Sequence, residues 1–224
     1  MWKQYHCRSG CAIIFGRTAW LAHIIVEKNH RNRGIGYFIV NELVNTLKKM
    51  QVKSVSLIAT ELGEPVYLKV GFRFIMDYLY FKREKVWRET SISDNIIPFD
   101  KRYQNDLINM DSEISGGKRE NLIRMFLNSS KLFVENGRLT GFYLPGLGEG
   151  QIFALTETAG TGLMTLKYLT VEKAVLPAEN RAGIDFLIHQ GFVLSETKGK
   201  RMVLGENVPW KPEGYYSRAG GNFG

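Results

Sequence analysis

The chain has 224 residues, of which 44% are hydrophobic and 23% charged, and it carries a net charge of +8. This length and composition suit one large or two small packed domains and exclude a disordered chain. No apolar run approaches the roughly 18 residues of a membrane span, and no secretory signal pattern is present, so we expect no membrane association and a cytoplasmic location. Cys7 and Cys11 lack a second Cys or His pair at zinc-site spacing, so we interpret them as reduced thiols and expect no metal.

The net positive charge comes entirely from the N-terminal part. Residues 1–87 carry 14 basic residues (Lys and Arg) and 6 acidic residues (Asp and Glu), whereas residues 88–224 carry 16 basic and 16 acidic residues. A basic half predicts an anionic ligand, such as a nucleotide-like cofactor, a nucleic acid or a lipid headgroup. The cations are scattered rather than interleaved with aromatic residues along one face, which argues against nucleic acid.

The N-terminal part predicts the order strand, strand, helix, strand, short helix, strand. These elements are placed at residues 11–17, 19–28, 34–50, 52–59, 65–70 and 72–81. The strands are apolar and β-branched, the long helix repeats apolar residues every four positions, and Pro65 and Gly71 bracket the short helix. The strand–helix–strand segment implies parallel pairing with a right-handed crossover.

A second part follows a polar stretch at residues 82–94. Its predicted strands are 95–99, 131–135, 138–144, 151–157, 173–176 and 192–204, and its helices are 101–114, 118–130, 162–170 and 179–189. From the hairpin at 131–144 onward this order repeats that of residues 11–85, and both parts lead a short helix into Gly-Phe, in VYLKVGFRF and FLIHQGFVL. We therefore predict a duplicated unit in a mixed α/β fold, with domains at 1–87 and 88–224.

The stretch HRNRGIGYF, residues 30–38, has the features of a phosphate site. Two glycines one residue apart open the long helix, where free amides and the helix dipole favour an anion, and Arg31 and Arg33 add charge. A basic loop before a buried helix would explain the same residues. A dinucleotide-binding turn is disfavoured because Ile39 stands where its third glycine belongs.

The combination of Arg31-x-x-Gly34-x-Gly36 after a strand with Tyr67-x-x-x-Gly71-Phe72 after the next strand resembles the GNAT superfamily of acyl-CoA-dependent N-acetyltransferases. The close match covers residues 10–83. The remainder resembles, more weakly, the C-terminal half of tandem-GNAT proteins.

The resemblance implies acetyl-CoA as co-substrate and a primary amine as acceptor, for which a small molecule is favoured over a protein. Tyr67 would be the general acid that protonates the leaving thiolate, and the N–H near Val26 would polarise the thioester carbonyl. The backbone near Ile24, Ile25 and Val26 would pair with the pantetheine arm. The pyrophosphate would be held by residues at the helix start: Arg31, Asn32, Arg33, Gly34, Ile35, Gly36 and Tyr37.

The general base is less clear. His23 and Glu27 share one face of the second strand by its period of two, and both are candidates for removing the amine proton. A core histidine and a solvated strand end would explain the same two residues. A non-catalytic module that binds or senses acyl-CoA therefore stays open beside the enzyme.

Two departures from the family pattern bear on function. The first strand and two helices of a GNAT domain have no counterpart before residue 11, so we predict an N-terminally short unit whose exposed sheet edge is compatible with a homo-oligomer. In the second unit, Glu157 stands where the first arginine of the motif belongs, and Leu187 stands where the tyrosine belongs. We therefore predict a degenerate second unit that does not bind CoA productively but helps to shape the acceptor pocket.

Overall fold

The computed structural model describes residues 8–84 and 91–223. Its first six elements are β1 (Arg8–Phe15), β2 (Thr18–Val26), α1 (Ile35–Lys49), β3 (Ser54–Ala59), α2 (Glu64–Val70) and β4 (Arg73–Lys82). This is the predicted order, with ends that differ by no more than a few residues.

The rest of the chain forms seven strands and four helices among the described residues. The strands are β5 (Ile96–Pro98), β6 (Lys131–Glu135), β7 (Arg138–Leu144), β8 (Gln151–Ala154), β9 (Lys173–Pro177), β10 (Val193–Gly205) and β11 (Tyr215–Ser217). The helices are α3 (Gln104–Ser115), α4 (Glu120–Arg124), α5 (Glu157–Lys167) and α6 (Arg181–His189).

Two predicted helices of this part were placed wrongly. The helix predicted at 118–130 is divided into α4 and a 3-10 turn at Leu127–Ser129. The helix predicted at 162–170 begins instead at Glu157, because the Thr156 side chain caps it by accepting the N–H of Ala159 at 3.2 Å.

Contacts divide the chain into two compact units that are not contiguous in sequence. Unit 1 comprises residues 8–75, 200–207 and 221–223 of the described chain, and unit 2 comprises 76–84, 91–199 and 208–220. The mixed α/β fold with two units agrees with the prediction. The bounds differ from a division at residue 87, because β4 and β10 each pass from one unit into the other.

Unit 1 is a sheet with two helices on one face. β1 is antiparallel to β2, β2 is parallel to β3, and β3 is antiparallel to residues 200–205 of β10. Alternate residues of the strands pack under α1 and α2, as strand geometry requires. The buried core is formed chiefly by Leu21, Val40, Val44, Leu47, Leu57, Phe72 and Met202.

Unit 2 contains a five-stranded sheet in the order β11-β8-β7-β6-β5, together with the antiparallel pair β4–β9. Its main core packs α5 and α6 against these strands, with Leu163, Leu176, Leu187 and Phe192 among the buried residues. Tyr215 and Tyr216 are also buried.

The two Gly-Phe segments end their helices in the same way. The N–H of Phe72 bonds to the Tyr67 carbonyl at 3.0 Å, and the N–H of Phe192 bonds to the Leu187 carbonyl at 2.9 Å. The repeats β3-α2-β4 and β9-α6-β10 exchange their last strands, since β10 pairs with β3 and β4 pairs with β9. This similarity in order and helix ends is consistent with the predicted duplication.

Candidate functional site

A cavity opens in unit 1 where β2 and β3 part. Their pairing runs from Thr18 opposite Ser54 to Trp20 opposite Ser56, although β2 continues to Val26 and β3 to Ala59. The cavity has a volume of about 610 Å³, which lies in the range of small-molecule sites. It is lined by Ile24, Ile25 and Val26 of β2, by Thr60, Leu62 and Gly63 after β3, and by residues of α1 and α2.

A β-bulge shapes the β2 side of this cavity. Against β1, Ser9 is opposite Ile25 and Cys11 is opposite Ala22, so that His23 and Ile24 together face the single residue between Ser9 and Cys11. His23 has a φ of 52°, in the left-handed region. A bulge bends its strand and redirects the side chains that follow, which accounts for the turn of β2 away from β3.

The start of α1 forms one end of the cavity. Gly34 has a φ of 76° and offers no capping side chain. The first helical hydrogen bond runs from the Phe38 N–H to the Gly34 carbonyl at 3.0 Å. The N–H groups of Ile35, Gly36 and Tyr37 therefore have no carbonyl acceptor within the helix and can donate to an anion. An added Cβ on Gly36 would lie 3.9 Å from the methyls of Val26 and Val66, so packing alone does not demand glycine there.

Three potential cations surround this helix start. The Arg31 Nε donates to the Val26 carbonyl at 3.0 Å, which holds the side chain beside the end of β2. The Lys69 Nζ lies 5.1 Å from the centroid of the Tyr37 ring. Arg31, Lys69 and His30 line the cavity, and they make this end attractive to phosphate.

Tyr67 lies in the wall of the cavity on α2. The residue is 9% exposed, and its ring meets the edge of Phe72 at a centroid distance of 5.8 Å. An added Cβ on Gly63 would come within 3.0 Å of the Tyr67 ring, so glycine leaves room for it. Burial raises the pKa of the Tyr67 hydroxyl, so the group keeps its proton through the neutral range.

His23 and Glu27 do not occupy one face of a regular strand, so the alternation expected from the sequence is wrong. The bulge at His23 interrupts it, and β2 ends at Val26. The Glu27 carboxylate accepts the Asn29 N–H at 2.9 Å and lies 2.8 Å from the Nδ1 of His30. This hydrogen bond with His30 is the main cause of the lowered pKa of Glu27. Neither residue belongs to the cavity lining, and their roles as bases stay predictions.

The predicted binding residues mostly come together here. The cavity lining includes Ile24, Ile25, Val26, Arg31, Asn32, Gly34, Ile35, Gly36, Tyr37 and Tyr67, whereas the exposed Arg33 is not part of it. Sequence reasoning missed Thr60, Leu62, Val66 and Lys69. Their position after the carboxyl end of β3 and along α2 is the signal that would have placed them on the same side as the motif.

The equivalent helix start in unit 2 is filled by protein. Thr156 caps α5, and an added Cβ on Gly160 would lie 2.3 Å from atoms of the Tyr216 ring. An added Cβ on Gly162 would lie 2.6 Å from the Phe133 ring. These glycines therefore serve close packing, and Leu187 is fully buried in the core.

Among the described residues, no helix is long and apolar enough to cross a membrane. Within the same residues, no group of three or more His, Cys, Asp or Glu side chains is arranged to hold a metal ion.

Comparison with known proteins agrees with this geometry. Residues 9–84 match the family model described as an acetyltransferase (GNAT) domain. The match covers about a third of the chain and makes this N-terminal part similar to an acetyltransferase of the GNAT superfamily.

Individual relatives are distant. The N-acetyltransferase YitH of Bacillus subtilis, itself uncharacterised, is 24% identical over 192 residues, which cover 80% of this chain and 67% of YitH. A candidate acetyltransferase from Pyrococcus horikoshii superposes with a TM-score of 0.81 at 19% identity, over 96% of this chain and 75% of that one. A tandem GNAT protein from the clavulanic acid biosynthesis pathway gives 0.52 at 10% identity, over 84% and 75% of the two chains. The two solved structures share the fold.

Proposed function

We propose that unit 1 binds acetyl-CoA and transfers its acetyl group to the primary amine of a small molecule. The observation that carries the proposal is the cavity between β2 and β3, which ends at the uncapped start of α1. The amides of Ile35, Gly36 and Tyr37 would hold the pyrophosphate, with Arg31 and Lys69 adding positive charge. The open edge of β2 beyond Trp20 would pair with the amide groups of the pantetheine arm.

The proposed chemistry is direct transfer. The uncharged amine attacks the thioester carbonyl carbon, a C–N bond forms and the C–S bond breaks. The Val26 N–H would stabilise negative charge on the carbonyl oxygen. Tyr67 would give its proton to the departing thiolate, and the proton lost by the amine restores the balance through a base or solvent. His23 and Glu27 remain the predicted bases.

Unit 2, in this proposal, does not bind acetyl-CoA. Its counterpart of the helix start carries Glu157 and the Thr156 cap, and the Tyr216 ring covers Gly160. The degenerate tandem-GNAT organisation, with functional domains at 1–87 and 88–224, is part of the same proposal.

A non-catalytic acyl-CoA sensor is the second candidate, and one observation favours it. Glu27 is engaged by Asn29 and His30, and neither it nor His23 lines the cavity, so no predicted base faces the thioester site. A sensor would bind acetyl-CoA in the same place without releasing thiol.

Thiol release from acetyl-CoA, measured with a panel of primary amines and with hydroxylamine, separates these candidates. Hydroxylamine is largely uncharged at neutral pH, so it needs neither a base nor a shaped acceptor pocket. We expect release above the uncatalysed rate, and a loss of about 100-fold in kcat in the Tyr67→Phe variant. Tyr103→Phe, which removes a hydroxyl bonded to the Gly137 carbonyl of unit 2, is the matched control and should leave kcat unchanged. Binding of acetyl-CoA without any thiol release would identify the sensor.

A further inference from the structure

The C-terminal part of the sequence contributes a strand to the proposed acetyl-transfer unit. Residues 200–205 of β10 pair with β3 from Ala59 back to Ser54, and Lys200 is opposite Ala59, the last residue of β3. Thr60, the next residue, already lines the cavity. Strand pairing therefore brings Lys200 to the cavity edge of the sheet. There it meets Glu64, which is 136 residues earlier in the sequence.

At that edge Lys200 is joined to α2. Its Nζ lies 2.6 Å from Oε2 of Glu64, and the two side chains are 36% and 19% exposed. Glu64 is in the first turn of α2, where a carboxylate also interacts favourably with the helix dipole. The partial burial of the pair distinguishes it from an exposed ion pair, which contributes little.

The joined helix end is close to Tyr67. The Thr60 carbonyl accepts the N–H groups of Gly63 and Glu64, each at 3.0 Å, which closes the loop between β3 and α2. Gly63 in turn lies against the Tyr67 ring. A shift of Glu64 would therefore move both the backbone that carries Tyr67 and the residue that gives its ring room.

α2 needs such external support. It has 7 residues, and a helix so short is not stable by itself in water, so tertiary contacts set its position. Val66, Tyr67 and Lys69 reach the cavity from this one helix. A misplaced α2 would move the proposed general acid relative to the thioester.

We propose that Lys200 is a positioning residue for acetyl transfer, acting through Glu64 to hold Tyr67 in its reactive place. The inference rests on the proposed function of unit 1. It assigns the C-terminal part of the chain a direct task in that function, because β10 supplies the anchoring lysine.

The test measures thiol release from acetyl-CoA with hydroxylamine as acceptor, using the full chain. Lys200→Met should lower kcat about tenfold, since small displacements of a catalytic group are costly, and should change the KM for acetyl-CoA by less than twofold. Lys200→Arg, which keeps the charge, should retain most of the activity. Glu64→Gln removes the same ion pair with an isosteric side chain and should lower kcat as Lys200→Met does. Lys198→Met, at an exposed lysine of the same strand, should behave as wild type.

A cycle with Tyr67→Phe identifies the route of the effect. If Lys200 acts by positioning Tyr67, Lys200→Met should cause no further loss in a Tyr67→Phe background. A tenfold further loss in that background, or full activity of both Lys200→Met and Glu64→Gln, would overturn the positioning role. A wild-type protein that releases no thiol would instead refute the proposed activity, and the positioning role with it. If Lys200→Met fails to fold, Glu64→Gln decides the question.

Discussion

Gly36 offers the sharpest charge test of the proposed phosphate site. Apart from its own helix, the nearest atoms to an added Cβ belong to Val26 and Val66 and lie at 3.9 Å, so Gly36→Gln and Gly36→Glu should both fit in the fold. The two variants have the same shape and differ by one negative charge. Their comparison therefore isolates electrostatic repulsion of a ligand at the start of α1.

The size of the effect follows from Coulomb's law. Two unit charges about 4 Å apart interact by about 1 kcal/mol in bulk water and about 4 kcal/mol near a protein surface. The cavity end is partly open, so we expect about 2 kcal/mol, a ratio of roughly 30 between the dissociation constants of the two variants. Isothermal titration with acetyl-CoA at low and high salt measures this ratio, which should shrink as salt increases.

Loss of folding would not produce this result. Glutamate in the first turn of a helix interacts favourably with the dipole, and glycine is the poorer helix former, so α1 should not be destabilised. Equal dissociation constants for the Gln and Glu variants would refute the placement of phosphate at this helix start.

Three other predictions follow from the same structure. Lys69→Met should weaken acetyl-CoA binding several-fold in titration calorimetry, because the cation lines the cavity. Gly160→Ala should lower the free energy of unfolding in urea by about 1–3 kcal/mol, because its Cβ would overlap the Tyr216 ring. Lys167 is buried and donates to the carbonyls of Glu149 and Gly150, and burial lowers its pKa to about 8. Raising the pH from 7 to 10 should therefore stabilise wild type relative to Lys167→Met by about 2–3 kcal/mol in urea titrations.

The sign of the last effect comes from proton binding. Between pH 8 and the usual lysine pKa, the unfolded chain holds a proton that the folded chain has released, so stability rises with pH. The range stops at pH 10 because burial raises the pKa of Tyr216 to about 12. Above pH 10 this tyrosine loses its proton in the unfolded chain but keeps it in the folded chain, so stability falls as the pH rises.

Controls separate each prediction from general damage. For Lys69, the exposed Lys48 in the last turn of α1 is the matched lysine, and equal weakening by Lys48→Met would contradict a local role. An unchanged unfolding midpoint in Gly160→Ala would mean that Tyr216 does not cover α5 in solution. For Lys167, parallel pH curves for wild type and variant would show that the ammonium is not buried.

The local features of the fold could be predicted from the sequence. Pro65 and Gly71 fixed the ends of α2, and the apolar period located α1. The buried stripe of α1 is Val40, Val44 and Leu47, whereas Ile39 and Leu43 are half-buried. The periodicity therefore gave the helix, whereas the depth to which each apolar residue is buried depends on packing against the strands. The helix start with two glycines could also be predicted, because it depends on neighbouring residues, and its role in binding phosphate stays a prediction.

Features that depend on distant contacts could not be predicted in this way. The pairing of Lys200 with Ala59 needs β10 to cross into unit 1, and no local pattern records such an exchange. The sequence around the bulge at His23 looks like that of an ordinary apolar strand. Strict alternation of side chains therefore placed Glu27 on the wrong face. The helix predicted from residue 162 begins earlier because Thr156 caps it, and Gly160 and Gly162 lie inside it against the rings of Tyr216 and Phe133.

A thermal shift of the full chain with acetyl-CoA, CoA and ATP side by side tests the central claim most directly. A ligand at about 100 times its dissociation constant stabilises the folded state by about 2.7 kcal/mol, a shift of a few degrees at this size. The account predicts that shift with acetyl-CoA and CoA and none with ATP. With acetyl-CoA at about 100 times the dissociation constant of Gly36→Gln, a roughly 30-fold weaker dissociation constant should reduce the shift of Gly36→Glu to about a third of that of Gly36→Gln. No shift with either CoA compound, or equal shifts in both Gly36 variants, would contradict it.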